Sequence, residues 1–496
     1  MAAKGIAFLL MAMAMALMGL CFADPRPNIV FVMVDDLGWG DLGYHGSDIP
    51  TPNIDDLAQN GIKLDAMYGL PLCSPARAAF MTGRYPLRYG LQSFVISPGQ
   101  KYGLPLDERT LAAALREQGY KTHMVGKWHL GHAKREYWPI ERGFDHFKGN
   151  VMGEVDYWTK ERGGKVDWQV DGKFLSESGY LTHLVTDRAV ETIAQHDTSS
   201  PMFLYIAHLA VHSPYEAPED ALSNFSHVQD EARKGYSAMV GTVDQSMGRV
   251  VRALEAKGIR DNTLIVFSSD NGGVAKFSAT LSKMRGFKPS PADNGPYRGA
   301  KSDLYEGGVR VASFANWPGR IPGGRRTEEM AHLVDWFPTF LKLAGAENPQ
   351  ALQPEGKELD GMDIWELLSR EDAKSPRQGV LLNVEMHRGA IRIGDMKLVK
   401  QAMLPSKLEL FNIKEDPSET KNLAKEMPEV VEKLEDLING YAMDSEMSLF
   451  MKEYMPFIAR DFKKAGDLEY DYDETTEVEP HLPGASSLQE LQTSCE

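Results

Sequence analysis

Cysteine is the scarcest reactive residue in this chain, with only three copies in 496 residues. Cys21 lies near the N-terminus, Cys495 is next to the last residue, and Cys73 stands alone in the body of the sequence. At most one long-range disulfide, Cys73 with Cys495, can therefore form. Cys73 is otherwise either a buried thiol that behaves as a small apolar side chain or a residue with a chemical role.

Positive charge is also in short supply. The chain has 54 Lys and Arg against 70 Asp and Glu, a formal net charge of −16, which argues against a nucleic-acid-binding surface. A pocket that is locally basic can still bind an anion in a chain of negative net charge. The negative net charge does, however, favour short anionic ligands over long polyanions. The hydrophobic share of 43% and charged share of 25% are ordinary globular values, and they argue against a disordered, collagen-like or polytopic membrane protein.

Long apolar runs are nearly absent, and the main one is N-terminal. Lys4 precedes the apolar run Ile6–Leu20, which is shorter than the roughly 20 residues that span a bilayer. Cys21-Phe22-Ala23 supplies the small residues of a cleavage site. We expect residues 1–23 to be a signal peptide, the mature chain to begin at Asp24, and no stable membrane insertion. Export leads to the bacterial periplasm or the extracellular space, or to a secreted or lysosomal location in a eukaryote.

Short apolar runs alternate with helical patterns along most of the chain. Ile29–Val34, Tyr120–Val125, Met202–Ala207 and Leu264–Ser268 read as strands buried on both faces. Helical patterns follow Asn53, span Thr110–Gln118 and run from Met239 to Leu254. The alternation predicts an α/β fold, with a large and mostly parallel sheet sandwiched by helices.

The pattern of apolar and polar residues changes after about residue 370. Gly389–Lys400 and Leu408–Asn412 alternate as antiparallel strands do, and Glu429–Tyr441 is an amphipathic helical pattern. We therefore predict a catalytic domain over 24–370 and a smaller C-terminal α+β subdomain over 371–464. The acidic residues 465–496 are predicted to be a mobile tail.

Two of the predicted strands end in pairs of oxygen-bearing side chains. Asp35-Asp36 follows the first strand, and Asp270-Asn271 follows Leu264–Ser268. Ligands in open α/β sheets bind beyond the carboxyl ends of strands, so these pairs make a plausible Ca²⁺ or Mg²⁺ cage. The alternative is that they only form turns or cap the next helix.

The surroundings of Cys73 decide between these alternatives. Cys73-Ser74-Pro75-Ala76-Arg77 resembles the sulfatase motif C-x-P-x-R, whose cysteine a separate maturation enzyme oxidises to Cα-formylglycine. Four further segments occur in the family's order: Gly126-Lys127-Trp128-His129, Val211-His212-Ser213-Pro214, Ser269-Asp270-Asn271-Gly272-Gly273 and Arg298-Gly299-Ala300-Lys301. The chain thus resembles sulfatases of the alkaline phosphatase superfamily to about residue 440. Arg142-Gly143-Phe144-Asp145 and Leu410-Phe411-Asn412-Ile413 are most similar to the arylsulfatase B-like, N-acetylgalactosamine-4-sulfatase branch.

The resemblance implies a site and a reaction. One Ca²⁺ ion, with Mg²⁺ as the alternative, would be held by Asp35, Asp36, the modified Cys73, Asp270 and Asn271. The hydrated formylglycine would attack sulfur to form a covalent sulfated intermediate, and loss of its second hydroxyl proton would then release sulfate. The residues with supporting roles would be Arg77, Lys127, Lys301, His129 and His212. Arg77 would steady the diol, and the two lysines would neutralise sulfate charge. We favour His212 as the proton donor to the leaving alcohol and His129 for the elimination step.

The function predicted from the sequence is hydrolysis of sulfate esters on a sulfated carbohydrate, such as a glycosaminoglycan or algal polysaccharide fragment. Two alternatives remain open. One is a phosphonate monoester or phosphodiester hydrolase on the same fold. The other is a carbohydrate-binding protein without catalysis, should Cys73 stay unmodified. The expected partners are the sulfated carbohydrate and the formylglycine-generating maturation enzyme, with no nucleic acid.

Overall fold

The computed structural model describes residues 26–275, 291–402 and 406–455. The predicted signal peptide at 1–23, Cys495 and the predicted acidic tail at 465–496 lie outside these described residues. Cys73 is a free and buried thiol.

The described chain forms a large central sheet, a four-stranded C-terminal sheet and two small ribbons. The strands are β1 (Asn28–Val34), β2 (Ile62–Leu64), β3 (Met67–Tyr68), β4 (Lys121–Lys127), β5 (His146–Asn150), β6 (Glu161–Arg162), β7 (Lys165–Val166), β8 (Gln169–Val170), β9 (Lys173–Phe174), β10 (Met202–His208), β11 (Thr263–Ser269), β12 (Ser313–Asn316), β13 (Arg325–Thr327), β14 (Ala331–His332), β15 (Gly379–Glu385), β16 (Arg388–Ile393), β17 (Met396–Gln401) and β18 (Lys407–Asn412). The ten strands of the central sheet lie in the order β13-β2-β12-β11-β1-β10-β4-β5-β8-β9.

The middle of the central sheet is parallel, as the sequence predicts. Strands β11, β1, β10, β4 and β5 run in one direction, and antiparallel β12 and β8 flank them. Every residue of Ile29–Val34 is fully buried because alternate side chains enter the cores on opposite faces. The α/β fold class is thus confirmed.

Helices cover both faces of the central sheet. The bounds of the helices in the described chain are Pro52–Gln59, Cys73–Thr82, Leu111–Glu117, Leu181–Gln195, Glu219–Ser223, Glu231–Lys257, Glu306–Val309, Trp336–Leu343, Trp365–Ser369 and Pro428–Met443. The core on one face includes residues of Cys73–Thr82, Leu111–Glu117 and Trp336–Leu343. The opposite core includes residues of Pro52–Gln59, Leu181–Gln195 and Glu231–Lys257. In the part of the chain that is described, no helix has both the length and the apolar character needed to cross a bilayer.

The C-terminal sheet is an antiparallel meander in the order β15-β16-β17-β18. The alternating segment 389–400 forms two strands that turn at Gly394, whose φ of 54° is in the left-handed region that favours glycine. Strand β15 was not predicted from the sequence. One face of this sheet packs on the helix Pro428–Met443 through Val431, Leu434 and Ile438. Its other face packs with Tyr68, Leu304 and Val309 of the larger unit.

Candidate active site

Cys73 is the first residue of the helix Cys73–Thr82. Arg77 follows one turn later, so both side chains project on the same side of the helix. The hydroxyl of Ser74 accepts a hydrogen bond from the backbone N–H of Ile96 at 3.0 Å and fixes the adjoining loop to this helix. Both Cys73 and Arg77 are buried.

The two oxygen-bearing pairs predicted at strand ends meet beside Cys73. The register of parallel β1 and β11 pairs Val34 with Ser269, and this brings Asp35-Asp36 next to Asp270-Asn271. The Asn271 side-chain amide donates to Asp36 Oδ1 at 2.8 Å, and the backbone N–H of Asp36 donates to Asp270 Oδ1 at 3.3 Å. The Cys73 thiol lies 3.9 Å from Asp36 Oδ1. Asp36 has a φ of 61°, a conformation that costs free energy outside glycine and that clusters at functional sites.

The donor set fits a hard divalent cation. One ligand atom from each of Asp35, Asp36, Cys73 and Asp270 lies within 4.8 Å of the others. Asp35 Oδ1 and Asn271 Oδ1 are buried acceptors that have no hydrogen-bond partner within the described residues. Buried acceptors are nearly always satisfied, so these two oxygens point to a ligand at this place. Carboxylate and amide oxygens are the ligands that Ca²⁺ and Mg²⁺ prefer.

Three buried cations face the three carboxylates. Arg77 holds Asp270 Oδ2 through Nε at 3.1 Å and Nη2 at 2.9 Å, and its Nη1 donates to the Lys127 carbonyl at 3.2 Å. Lys127, at the end of β4, pairs with Asp35. Lys301 Nζ lies 2.9 Å from Asp36 Oδ2. A divalent ion held by these carboxylates would give the cluster an excess of positive charge, despite the negative charge of the whole chain.

The cluster shifts the pKa values of its acids. Burial raises the pKa of Asp35, but the charges of Lys127 and Arg77 outweigh burial and hold it well below its usual value. Burial, with the charge of Asp35, raises the pKa of Asp270 to about 7. Burial also raises the pKa of the Cys73 thiol well above its usual value, so the unmodified side chain is a poor nucleophile.

His129 and His212 lie on the wall of one cleft beside this cluster. His212 Nε2 lies 3.6 Å from Asp36 Oδ2, and His212 Nδ1 lies 2.7 Å from the Ser213 carbonyl. Because a carbonyl only accepts, Nδ1 carries the hydrogen. Burial and the charge of Lys301 lower the pKa of His212, while burial and the charge of Lys127 lower that of His129.

The residues predicted to act in catalysis or to hold a metal thus lie around Cys73, and their individual roles stay predictions. Beyond the histidines, the cleft is lined by residues to which sequence reasoning assigned no individual role, among them Gly153, Glu154 and Arg162. No motif marks them, and only the folding of the segment after β5 brings them to the site.

Comparison with known proteins identifies the family. The model of the sulfatase family matches residues 27–346, which is more than half of the chain. The chain belongs to the sulfatase family. A model described as N-sulphoglucosamine sulphohydrolase, C-terminal, matches residues 300–443.

Two similar curated proteins are named as sulfatases. Arylsulfatase J of Mus musculus is 37% identical over 373 residues, which are 73% of this chain and 58% of the relative. N-acetylgalactosamine-6-sulfatase of Mus musculus is 34% identical over 364 residues, or 69% of this chain and 66% of the relative. The chain thus matches less than two thirds of the length of either curated relative. The crystal structure of Ps i-CgsB in complex with k-i-k-neocarrahexaose is similar with a TM-score of 0.77 and 30% identity, covering 89% of this chain and 100% of that chain.

Proposed function

We propose that this chain is an exported enzyme that hydrolyses sulfate esters of sulfated carbohydrates, with Cys73 acting after oxidation to Cα-formylglycine. The observation that carries the proposal is the buried cluster in which three carboxylates, Asn271 and three cations surround Cys73 at the start of a helix. The family adds support. Export rests on the N-terminal sequence pattern alone.

The chemistry assigns a task to each group. A hydrated formylglycine at position 73 supplies a hydroxyl nucleophile that the buried thiol does not. Arg77 lies one turn behind this position and keeps the Asp270 carboxylate in place. Lys127 and Lys301 are fully buried cations that can bind sulfate oxygens in a site with little water.

A divalent cation fits among Asp35, Asp36, Asp270 and Asn271, with Ca²⁺ as our proposal and Mg²⁺ as the alternative. Such an ion polarises a sulfate oxygen and favours ionisation of a nearby hydroxyl. The histidines serve the proton transfers, because both face the cleft through which the ester oxygen enters. His212 is proposed to protonate the leaving alcohol, and His129 to serve the elimination step.

The substrate class rests on the relatives. The similar crystal structure is a complex with k-i-k-neocarrahexaose, and one curated relative is named N-acetylgalactosamine-6-sulfatase. The resemblance to the N-acetylgalactosamine-4-sulfatase branch leaves positions 4 and 6 as the two alternatives to compare.

The test begins with the modification. The full chain is produced with and without a formylglycine-generating enzyme, and the tryptic peptide 64–77 is examined by mass spectrometry for conversion of CH₂SH to an aldehyde. Sulfate release is then measured on 4-nitrophenyl sulfate and on methyl β-galactopyranosides sulfated at position 4 or position 6. We expect activity only in the converted protein and none in Cys73→Ala.

Two results would refute the proposal. Converted protein that cleaves 4-nitrophenyl phenylphosphonate or bis(4-nitrophenyl) phosphate faster than every sulfate ester would make it a phosphonate or phosphodiester hydrolase. Protein purified from its native host with only the thiol would leave a carbohydrate-binding protein.

A further inference from the structure

A narrow cleft opens directly beside the two histidines of the candidate active site. Its wall includes His129, Gly153, Glu154, Arg162 and His212. Because the buried cations beside this cleft would bind the sulfate oxygens, we expect the sugar ring that carries the sulfate to lie at the mouth of the cleft. Its polar side chains beyond the histidines include one acid, Glu154, and one base, Arg162.

Glu154 is placed by a rigid backbone. The carbonyl of Val151 accepts the N–H of His129 at 3.1 Å, and the Asp167 carboxylate accepts the N–H groups of Val151 and Met152 at 3.1 and 2.7 Å. At Gly153 a Cβ atom would overlap the imidazole of His129, so this backbone lies directly against the ring. Glu154 therefore directly follows the backbone that packs against the His129 ring, and it lies on the wall of the same cleft.

Arg162 is placed by a tight hairpin. Strands β6 and β7 pair Arg162 with Lys165, and the turn between them is Gly163-Gly164, whose φ values of 57° and 73° favour glycine. Arg162 Nη1 lies 2.5 Å from Glu154 Oε2, and the two side chains are only 15% and 20% exposed. The hairpin thus places Arg162 on the wall of the same cleft as Glu154.

We propose that Glu154 and Arg162 form a subsite that binds two neighbouring hydroxyl groups of the sugar ring that carries the sulfate. This inference rests on the proposed function. The pair is formally neutral, so it offers an acceptor and several N–H donors rather than a net charge. Two adjacent hydroxyls can donate to the carboxylate and accept from the guanidinium at once. A second sulfate or a carboxylate on the ring would instead have to displace Glu154 from Arg162.

The test compares Arg162→Met and Glu154→Gln in the converted full-length enzyme. The matched control is Lys165→Met, since Lys165 lies on the same hairpin but is exposed. The probes are methyl β-galactopyranoside 6-sulfate and 4-sulfate, their analogues lacking one ring hydroxyl, and 4-nitrophenyl sulfate, which has no sugar.

Both cleft variants are expected to raise KM for the better sugar sulfate by about tenfold, with a smaller change in kcat, since hydrogen bonds to charged groups carry this much binding. The ratio of kcat/KM for the sugar sulfate to that for 4-nitrophenyl sulfate should fall accordingly, and Lys165→Met should preserve it. Removing the recognised hydroxyl from the substrate should reproduce the loss in the wild type and add little in the variants.

An unchanged ratio in both cleft variants would overturn the proposal. So would a lower KM of Glu154→Gln for methyl β-galactopyranoside 4,6-disulfate, because that result means that Arg162 binds a second anion.

Failure of the proposed function has a separate signature, namely no sulfate release by the wild type from any probe. The subsite is then decided by saturation-transfer NMR of methyl β-galactopyranoside with Cys73→Ala protein. Binding that disappears on adding Arg162→Met supports the subsite. Binding that persists, or that is absent from the start, refutes it.

Discussion

Replacing Lys397 by Met should destabilise the protein far more than replacing any exposed lysine. Lys397 lies on β17 and is fully buried between two carboxylates, Glu306 Oε1 at 2.9 Å and Glu419 Oε1 at 2.8 Å. Glu306 begins the helix Glu306–Val309, which follows Lys301, and its backbone N–H donates to Glu419 at 2.7 Å. This ion cluster therefore ties the C-terminal sheet to the segment that carries a cation of the site.

The expected loss in unfolding free energy is about 3–5 kcal/mol, the range for removing one partner of a buried ion pair. Lys400→Met is the matched control on the same strand. Lys400 pairs with Glu435 at 2.8 Å, but their side chains are 27% and 29% exposed, so its loss should cost about 1 kcal/mol or less.

The pH dependence has a definite sign. Burial raises the pKa of Glu306, but Lys397 and Arg310 outweigh burial and lower it to about 2, whereas burial raises the pKa of Glu419 to about 7. Removing Lys397 takes away a positive charge that lowers the pKa of both acids, so the pKa of Glu419 rises further above its unfolded value. Protonation then favours the folded state, so the deficit of Lys397→Met should shrink as pH falls from about 8 toward 5.

Urea denaturation of the full chain at both pH values measures these differences, with the slope m checked for constancy. Adding Glu419→Gln to Lys397→Met should recover part of the loss, because one buried charge is removed. Equal losses for Lys397→Met and Lys400→Met, or a deficit that grows at low pH, would refute the reasoning.

Three further predictions concern catalysis. Gly153→Ala should lower kcat by about 100-fold or more because the new Cβ displaces His129. Circular dichroism checks that this variant still folds. The control variant is Gly241→Ala, whose Cβ meets nothing closer than 3.7 Å and which should retain activity. His212→Ala should lower kcat/KM for a sugar sulfate by about 100-fold or more. The loss should be far smaller for 4-nitrophenyl sulfate, because its leaving group needs no proton. Equal losses on both substrates would contradict the role of His212 as proton donor. Chelation with EGTA should abolish activity and lower the unfolding temperature, and added Ca²⁺ should restore both. A metal-free protein with an unchanged unfolding temperature would contradict the proposed ion site.

Arg388 links the C-terminal sheet by a hydrogen bond to a loop of the candidate active site. Its Nη1 donates to the Ser302 carbonyl at 2.5 Å, and the Ser302 N–H donates to the Pro71 carbonyl at 2.7 Å. Ser302 adjoins Lys301, and Pro71 lies two residues before Cys73. The C-terminal sheet therefore contacts the segments that carry two of the predicted site residues.

The central strands could be predicted because local sequence dictates them. Ile29–Val34 is continuously apolar and is buried on both faces, and the helix Glu231–Lys257 shows a regular apolar stripe. Strand β15 escaped prediction because its residues 379–385 enter different cores on its two faces, so no simple alternation marks it as the edge of an antiparallel sheet.

The positions of the candidate site residues follow from sequence in part, because the short motifs obey local geometry. Asp35-Asp36 and Asp270-Asn271 follow parallel neighbouring strands, so their meeting follows from the sheet, and Arg77 follows Cys73 by one helical turn. Residue pairs that only the tertiary structure brings together are not fixed by such local geometry. Lys397 meets a glutamate 91 residues away, and Arg162 meets Glu154 through a hairpin whose orientation depends on packing. Backbone periodicity acts over a few residues, whereas these contacts depend on how separate segments pack, and that is decided only when the whole core forms.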